Sequence, residues 1–236
     1  MIYNFANFNI KFIKTYGVLR EQLSEYQSIS NDSEVTFQVT LADAEYEISL
    51  SEEADSIRYG FLSAALRKVS EWLPLQNALT MHSATFDVDG TGVAFAAHSG
   101  TGKTTHMLLW QKLLGDRLKI VNGDKPIVRY FDDEPHTPYA YGTPWNGKEH
   151  LGCNMRTPLK HICFIERAEQ NSCEKMDKND AVNLIFNQVY MPKDPAAAAN
   201  TIVLINRLIS DCSLWKIKCN MDISAAETAY RTIFGE

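Results

Sequence analysis

The run Phe95–His106, FAAHSGTGKTTH, constrains its surroundings more than any other stretch of the chain. Gly100, Gly102, Lys103 and Thr104 stand at the spacing of a phosphate-binding loop (a P-loop), which requires a strand before it and a helix after it. The apolar run Val93–Ala97 supplies the strand and His106–Leu114 the helical pattern. Glycines let consecutive backbone N–H groups turn toward one anion. The positive end of the following helix faces the same point. The pattern therefore assigns Ser99, Gly100, Thr101, Gly102, Lys103, Thr104 and Thr105 to nucleotide binding. Lys103 would reach the β and γ phosphates of ATP, and the Thr104 hydroxyl would ligate Mg²⁺. The full pattern has a glycine five residues before Gly102, where this chain has Ala97. The alternative is a Gly/Ser/Thr-rich turn that binds nothing.

The 236 residues suffice for one large domain or two small ones, and a hydrophobic fraction of 45% can supply a core. A net charge of -6 argues against a nucleic-acid partner, since phosphate backbones reward clustered Lys and Arg. A small anionic ligand needs only a local positive site. Cys153, Cys163, Cys173, Cys212 and Cys219 are scattered without a CxxC pair, which predicts reduced thiols and a cytoplasmic setting. The N-terminal stretch mixes Asn and Lys into its apolar residues and does not read as a signal peptide. No apolar run approaches a membrane span, so no membrane partner is expected.

Residues 1 to about 55 predict short strands, from the alternation of Phe8, Ile10 and Phe12, then Val35, Phe37 and Val39, then Tyr46 and Ile48. Ser56–Leu73 predicts a helix. Met81–Phe86 and Val93–Ala97 predict a hairpin that feeds the loop, placing His82 on the neighbouring strand. Leu118–Val121 reads as a buried strand delivering Asn122, Gly123 and Asp124 at its end. Tyr141–Gly152 reads as a loop. Further strands are expected at Pro126–Tyr130, Leu159–Glu166 and Leu214–Cys219. Helices are expected at Asn179–Tyr190, at Ala196–Leu208 after Pro195, and at Ser224–Phe234 with Ser224 as N-cap. Interleaved strands and helices with hairpins predict an α/β class with a mixed sheet.

Three segments, MHSATFDVDGTGVAFAAHSGTGKTT, LKIVNGDKPIV and YGTPWNGKEHLG, together resemble the HPr kinase/phosphorylase-like kinases and, more distantly, the ATP-dependent phosphoenolpyruvate carboxykinases. The resemblance covers about residues 80–150 and extends through HICFIERAEQN toward the C-terminus. It implies an α/β fold with a mixed β-sheet and flanking helices around a P-loop, using ATP and Mg²⁺. It implies a nucleotide-binding domain over 76–236, with 1–75 as a β-rich layer plus helix in the same domain or beside it. By position, His82 matches a functional histidine of both families, Lys103 and Thr104 the loop lysine and metal hydroxyl, and Asp124 the second of a pair of aspartates. The resemblance thus implies a catalytic set of His82, Lys103 and Asp124, with Thr104 and Asp124 on the metal. Gly123 stands where both families carry the first aspartate, so one carboxylate serves as base, as metal ligand, or as both.

The function implied is a phosphotransferase moving the γ-phosphoryl group of ATP to a hydroxyl on a protein, a peptide or a small alcohol. A carboxykinase acting on oxaloacetate and a nucleotide-binding sensor without transfer activity are the alternatives. The sensor is favoured by the missing aspartate. Glu149 reads as a metal or substrate ligand or as a solvated charge, and Trp145 as a stacking platform or as packing. His98 and His106 carry no assigned role. A homo-oligomer remains open.

Overall fold

In a computed structural model, residues 1–13, 16–50 and 56–235 are described. The chain opens with a hairpin of β1 (Ile2–Phe5) and β2 (Phe8–Ile13), followed by α1 (Gly17–Gln22). Then come β3 (Val35–Gln38), α2 (Leu41–Ser49) and the long α3 (Ile57–Trp72). The strands expected around Phe8–Phe12 and Val35–Phe37 are present and form a three-stranded sheet in the order β1-β2-β3. The strand expected at Tyr46 and Ile48 is instead the helix α2. Thr40 and Asp43 close a reciprocal capping box at its start, satisfying orphan N–H groups that a two-residue alternation does not register. The parts of that N-terminal expectation at 14–15 and 51–55 lie outside the described residues.

From residue 78 the chain builds β4 (Ala78–Thr80), β5 (Ser83–Val88), β6 (Thr91–Ala96), α4 (Lys103–Leu114), β7 (Leu118–Asn122), β8 (Ile127–Arg129) and β9 (Tyr139–Tyr141). It continues with β10 (Arg156–Arg167), β11 (Ser172–Lys175), α5 (Lys178–Phe186), α6 (Pro195–Asp211), β12 (Ser213–Cys219) and α7 (Ile223–Phe234). Nine of these strands form one sheet along β4-β8-β9-β10-β6-β5-β7, with β12 beside β10 and β11 beside β12. β10 runs parallel to β6 and β12, whereas β5 is antiparallel to both β6 and β7. The sheet is mixed, as expected.

Alternation along β6 and β10 sorts the two faces. Phe95, Cys163 and Ile165 face Met107 and Trp110 of α4 and Ala229 and Tyr230 of α7. Ala96, Ile162 and Phe164 face Ala181, Ile185 and Leu208 of α5 and α6. Covering both faces with helices makes a three-layer arrangement. A third cluster joins the N-terminal Phe5, Phe8 and Phe61 to Ile127, Tyr141 and Trp145. All five cysteines are free. Among the described residues, no helix is long and apolar enough to cross a membrane.

Candidate functional site

Antiparallel pairing explains why three distant segments meet. Ser83 at the start of β5 lies opposite Ala96 at the end of β6, and Thr85 lies opposite Asn122 at the end of β7. The residues just before β5, just after β6 and just after β7 therefore share one edge of the sheet. These are His82, the 97–102 turn with Lys103, and Asp124. The expected continuous strand Met81–Phe86 is broken at this edge. Met81 bridges to Val189, and the His82 N–H donates to the Gln188 carbonyl at 2.6 Å. His82 thus sits at the break between β4 and β5.

The turn runs directly from β6 into α4, whose first residue is Lys103 rather than a later one. Gly100 and Gly102 have φ of +75° and +118°, values that disfavour any side chain. Ala97 needs no such freedom, since its φ is not positive, so the departure from the full glycine pattern costs no backbone strain here. Among the described residues, the N–H groups of Ser99, Gly100, Gly102, Lys103, Thr104 and Thr105 have no internal acceptor. The carbonyls are held from behind. Arg167 donates from Nε to Thr101 at 3.0 Å and from its terminal nitrogen to Gly100. Arg167 ends β10, within the HICFIERAEQN segment, and no sequence motif assigns it a role. A cationic residue at a predicted strand end beside a predicted loop was the available signal.

Lys103 is only 7% exposed, and its Nζ donates to the Ala97 carbonyl at 2.9 Å. Burial lowers the ammonium pKa, Asp124 raises it and Lys125 lowers it, leaving it below the ordinary lysine value. Gln188 is a second residue of the site that no sequence motif marks. With its amide turned so that the nitrogen faces acceptors, it donates to the His82 and Ala97 carbonyls at 3.1 and 3.2 Å. The Ala97 carbonyl is therefore shared between Lys103 and the residue that anchors His82. No sequence spacing signals Gln188, because it follows α5, more than eighty positions from the turn.

His82 Nε2 lies 3.2 Å from Asp124 Oδ1, and Lys125 Nζ lies 3.0 Å from the same oxygen. Among the described residues Asp124 Oδ2 makes no hydrogen bond. Burial pushes the Asp124 carboxyl up, but the His82 hydrogen bond and the Lys125 ammonium outweigh it and bring it to about 2. It is a carboxylate at neutral pH and a weak proton acceptor. The buried Asn122 builds the turn that presents it. Its Oδ1 accepts from the N–H groups of Asp124 and Lys125 at 2.9 and 2.7 Å, and its Nδ2 donates to the Thr143 hydroxyl at 3.0 Å. The Asn-Gly-Asp sequence is thus a turn and also the mount of the carboxylate.

Gly123 has a packing reason. A Cβ there would lie 2.9 Å from the Asn146 carbonyl oxygen and 3.2 Å from that of Leu151. The Gly123 N–H donates to Leu151 O at 2.8 Å. The 141–152 segment, a loop as expected apart from its first residue in β9, folds directly over this position. Within it Trp145 packs, with Nε1 donating to Leu62 O at 2.9 Å and its ring edge-on to Phe5. Glu149 is exposed and forms no ion pair among the described residues. His98 is exposed. His106 is buried and lowered to about 4 by that burial, with Nε2 accepting from Trp110 Nε1.

Cavities flank the turn. One of about 480 Å³ is lined by His98–Thr101, Arg167 and Gln188, and another of about 740 Å³ by Thr101, Thr105, His106 and the 219–222 segment. A third, of about 450 Å³, opens between α3 and the 144–150 segment, with Asp124 and Lys125 in its wall. Mg²⁺ bound with a nucleotide needs one or two protein carboxylates, with phosphate and water completing the shell. No group of three His, Cys, Asp or Glu among the described residues could hold a metal by itself. Asp124 Oδ2 and the Thr104 hydroxyl, neither engaged by a described residue, fit the smaller demand.

The architecture defines a mixed α/β protein with a strand–turn–helix element at one sheet edge. No protein-family model and no curated protein matches the chain. Among solved structures, the HPr(Ser) kinase/phosphatase from Coxiella burnetii aligns over 55% of this chain and 90% of its own, at 12% identity and a TM-score of 0.30. Overlap of that quality carries no argument about activity.

Proposed function

We propose that the protein binds Mg²⁺·ATP at Ser99–Thr105 and transfers the γ-phosphoryl group to a hydroxyl. The observation that carries this reading is the meeting of a run of unpaired N–H groups, a buried lysine and the His82–Asp124 pair at one sheet edge. Unpaired N–H groups at a helix start are a site for phosphate oxygens. Lys103 exchanges its Ala97 contact for the β and γ phosphates. Thr104 and Asp124 hold Mg²⁺, which supplies charge neutralisation when bound. Asp124 orients the acceptor hydroxyl, and His82 fixes the carboxylate and stabilises charge. Transfer of this kind rests on positioning and electrostatics, so a strongly basic group is not required.

Calorimetry with Mg²⁺·ATP tests the binding step. Replacing Lys103 by Ala removes one charge-assisted phosphate contact, and the affinity should fall by about 1.5–3 kcal/mol. Equal affinity of wild type and Lys103→Ala overturns the reading. Turnover of ATP with a cell-extract acceptor fraction tests the transfer step. A nucleotide-binding sensor without transfer activity is a second reading, favoured by the closely covered Gly123, which leaves no room for a second carboxylate there.

A further inference from the structure

The cleft between α3 and the 144–150 segment has a composition that the nucleotide reading leaves unused. Its volume is about 450 Å³, and Tyr59, Leu62, Leu66 and Trp145 give it an apolar side. Among the described residues that line it, Arg58, Lys125 and Lys148 supply three cationic side chains and Asp124 one carboxylate, with Glu149 Oε2 at the rim, 3.5 Å from where a Gly147 Cβ would stand, in a chain whose net charge is -6. Arg58 is shared with Glu21 at 2.9 Å, and Lys125 is held by Asp124. Lys148 has no partner among the described residues and stands on the turn whose Gly147 would carry a Cβ 3.3 Å from that of Asp124. Asp124 belongs both to this cleft and to the group of His82 and Lys103.

We infer that this cleft is the acceptor site and that its acceptor is a small alcohol bearing an anionic group, a carboxylate or a phosphate. The inference rests on the phosphotransfer reading and names its substrate class. The volume falls in the range of small-molecule sites, whereas a protein partner would need a contact surface of about 800 Å² on each side. The anionic group lies between Lys148 and Arg58, displacing Glu21 from the latter. The carbon skeleton lies against Leu62 and Trp145, and the hydroxyl points to Asp124. In the transfer the acceptor oxygen forms a bond to the γ-phosphorus. The bond from that phosphorus to the β–γ bridging oxygen breaks. ADP leaves, and the hydroxyl proton goes to water.

Three probes with one carbon skeleton test the inference: glycerol 3-phosphate, D-glycerate and glycerol. Their binding is measured by NMR titration of wild type and of Arg58→Ala/Lys148→Ala, in the presence of Mg²⁺ and a non-hydrolysable ATP analogue. At least one anionic probe should bind about tenfold or more tightly than glycerol, and the double variant should lose that advantage. The stronger of the two anions distinguishes carboxylate from phosphate. Lys148→Gln, a neutral and exposed replacement, should weaken the same probe, and affinity for the ATP analogue should stay unchanged throughout. Equal binding of all three probes, or an anion preference that survives in the double variant, overturns the inference. So does label from the γ-phosphate that appears only on macromolecules of an extract and is not reduced by either anion. Loss of the inference with Lys103-dependent nucleotide binding intact leaves the phosphotransfer reading standing. Absence of nucleotide binding ends that reading instead, and the anion titration without nucleotide then decides the cleft separately.

Discussion

The imidazole Nε2 of His82 stands 3.2 Å from Oδ1 of Asp124, the same oxygen that Lys125 approaches at 3.0 Å. Two donors on one oxygen leave the other free, and they fix the carboxylate plane without blocking it. For the carboxylate to accept from His82, Nε2 must carry the hydrogen. This pair connects the start of β5 to the end of β7, elements that the sequence places forty residues apart.

Asp124→Asn should abolish most phosphotransfer and move the Mg²⁺ dependence to higher concentration. A carboxyl held at about 2 is a poor base, so the main loss is that of a metal and hydroxyl anchor. His82→Ala should slow turnover by releasing the Asp124 carboxylate, while leaving nucleotide affinity nearly intact; a loss of ~10²–10⁴-fold would mark His82 as an acid–base group as well. Turnover against Mg²⁺ concentration for wild type and both variants decides this. An unchanged Mg²⁺ curve for Asp124→Asn would make Asp124 the base instead.

Acid should remove part of the stability that Asp124 supplies. Its folded-state value lies below the ordinary 3.8, so the unfolded chain holds the proton more tightly. The contribution is therefore present above about 4 and is lost as pH falls toward about 2. The shift corresponds to at most about 2.5 kcal/mol, and less because the side chain is 33% exposed. Denaturant unfolding of wild type and Asp124→Asn should show a stability gap at pH 6 that narrows by pH 3. A gap that stays constant between those pH values would falsify this assignment.

Gly123→Asp restores the two-aspartate arrangement of the families that the sequence resembles, and it should nevertheless impair the protein. The new Cβ meets the Asn146 and Leu151 carbonyls, so the covering loop must shift. Overpacking of this kind costs typically 1–3 kcal/mol. Gly123→Ala should show most of the same loss in thermal unfolding. Wild-type stability in both variants would mean that the loop yields freely.

Arg167→Ala should loosen the 97–102 turn by releasing the Gly100 and Thr101 carbonyls. Hydrogen exchange of the Thr101 N–H, which is bonded within the turn to His98 O at 3.2 Å, should accelerate, and nucleotide affinity should fall about tenfold, the loss expected for a charge-assisted hydrogen bond. Exchange of the sheet residues Phe95 and Ile162 should stay as in wild type. Unchanged exchange in the turn would remove Arg167 from its positioning role.

The turn was legible in the sequence because its requirements are local. Positive φ at Gly100 and Gly102, a lysine at the helix start and an apolar strand before it all lie within a dozen residues. The mixed sheet and its main strands were legible through alternation. α2 was not, because its signal is the Thr40–Asp43 cap rather than the spacing of Tyr46 and Ile48. The resemblance pointed to His82 and Asp124, but their contact depends on the β6-β5-β7 order, a pairing of segments distant in sequence. Gln188 and Arg167 gain their partners only when β10 and the end of α5 close on the turn. The reason for Gly123 lies in the loop folded over it. Backbone conformation and helix polarity are properties of short stretches, and the sequence determined those. Hydrogen bonds and close approach between distant segments belong to the packed chain, and only the tertiary structure decided them.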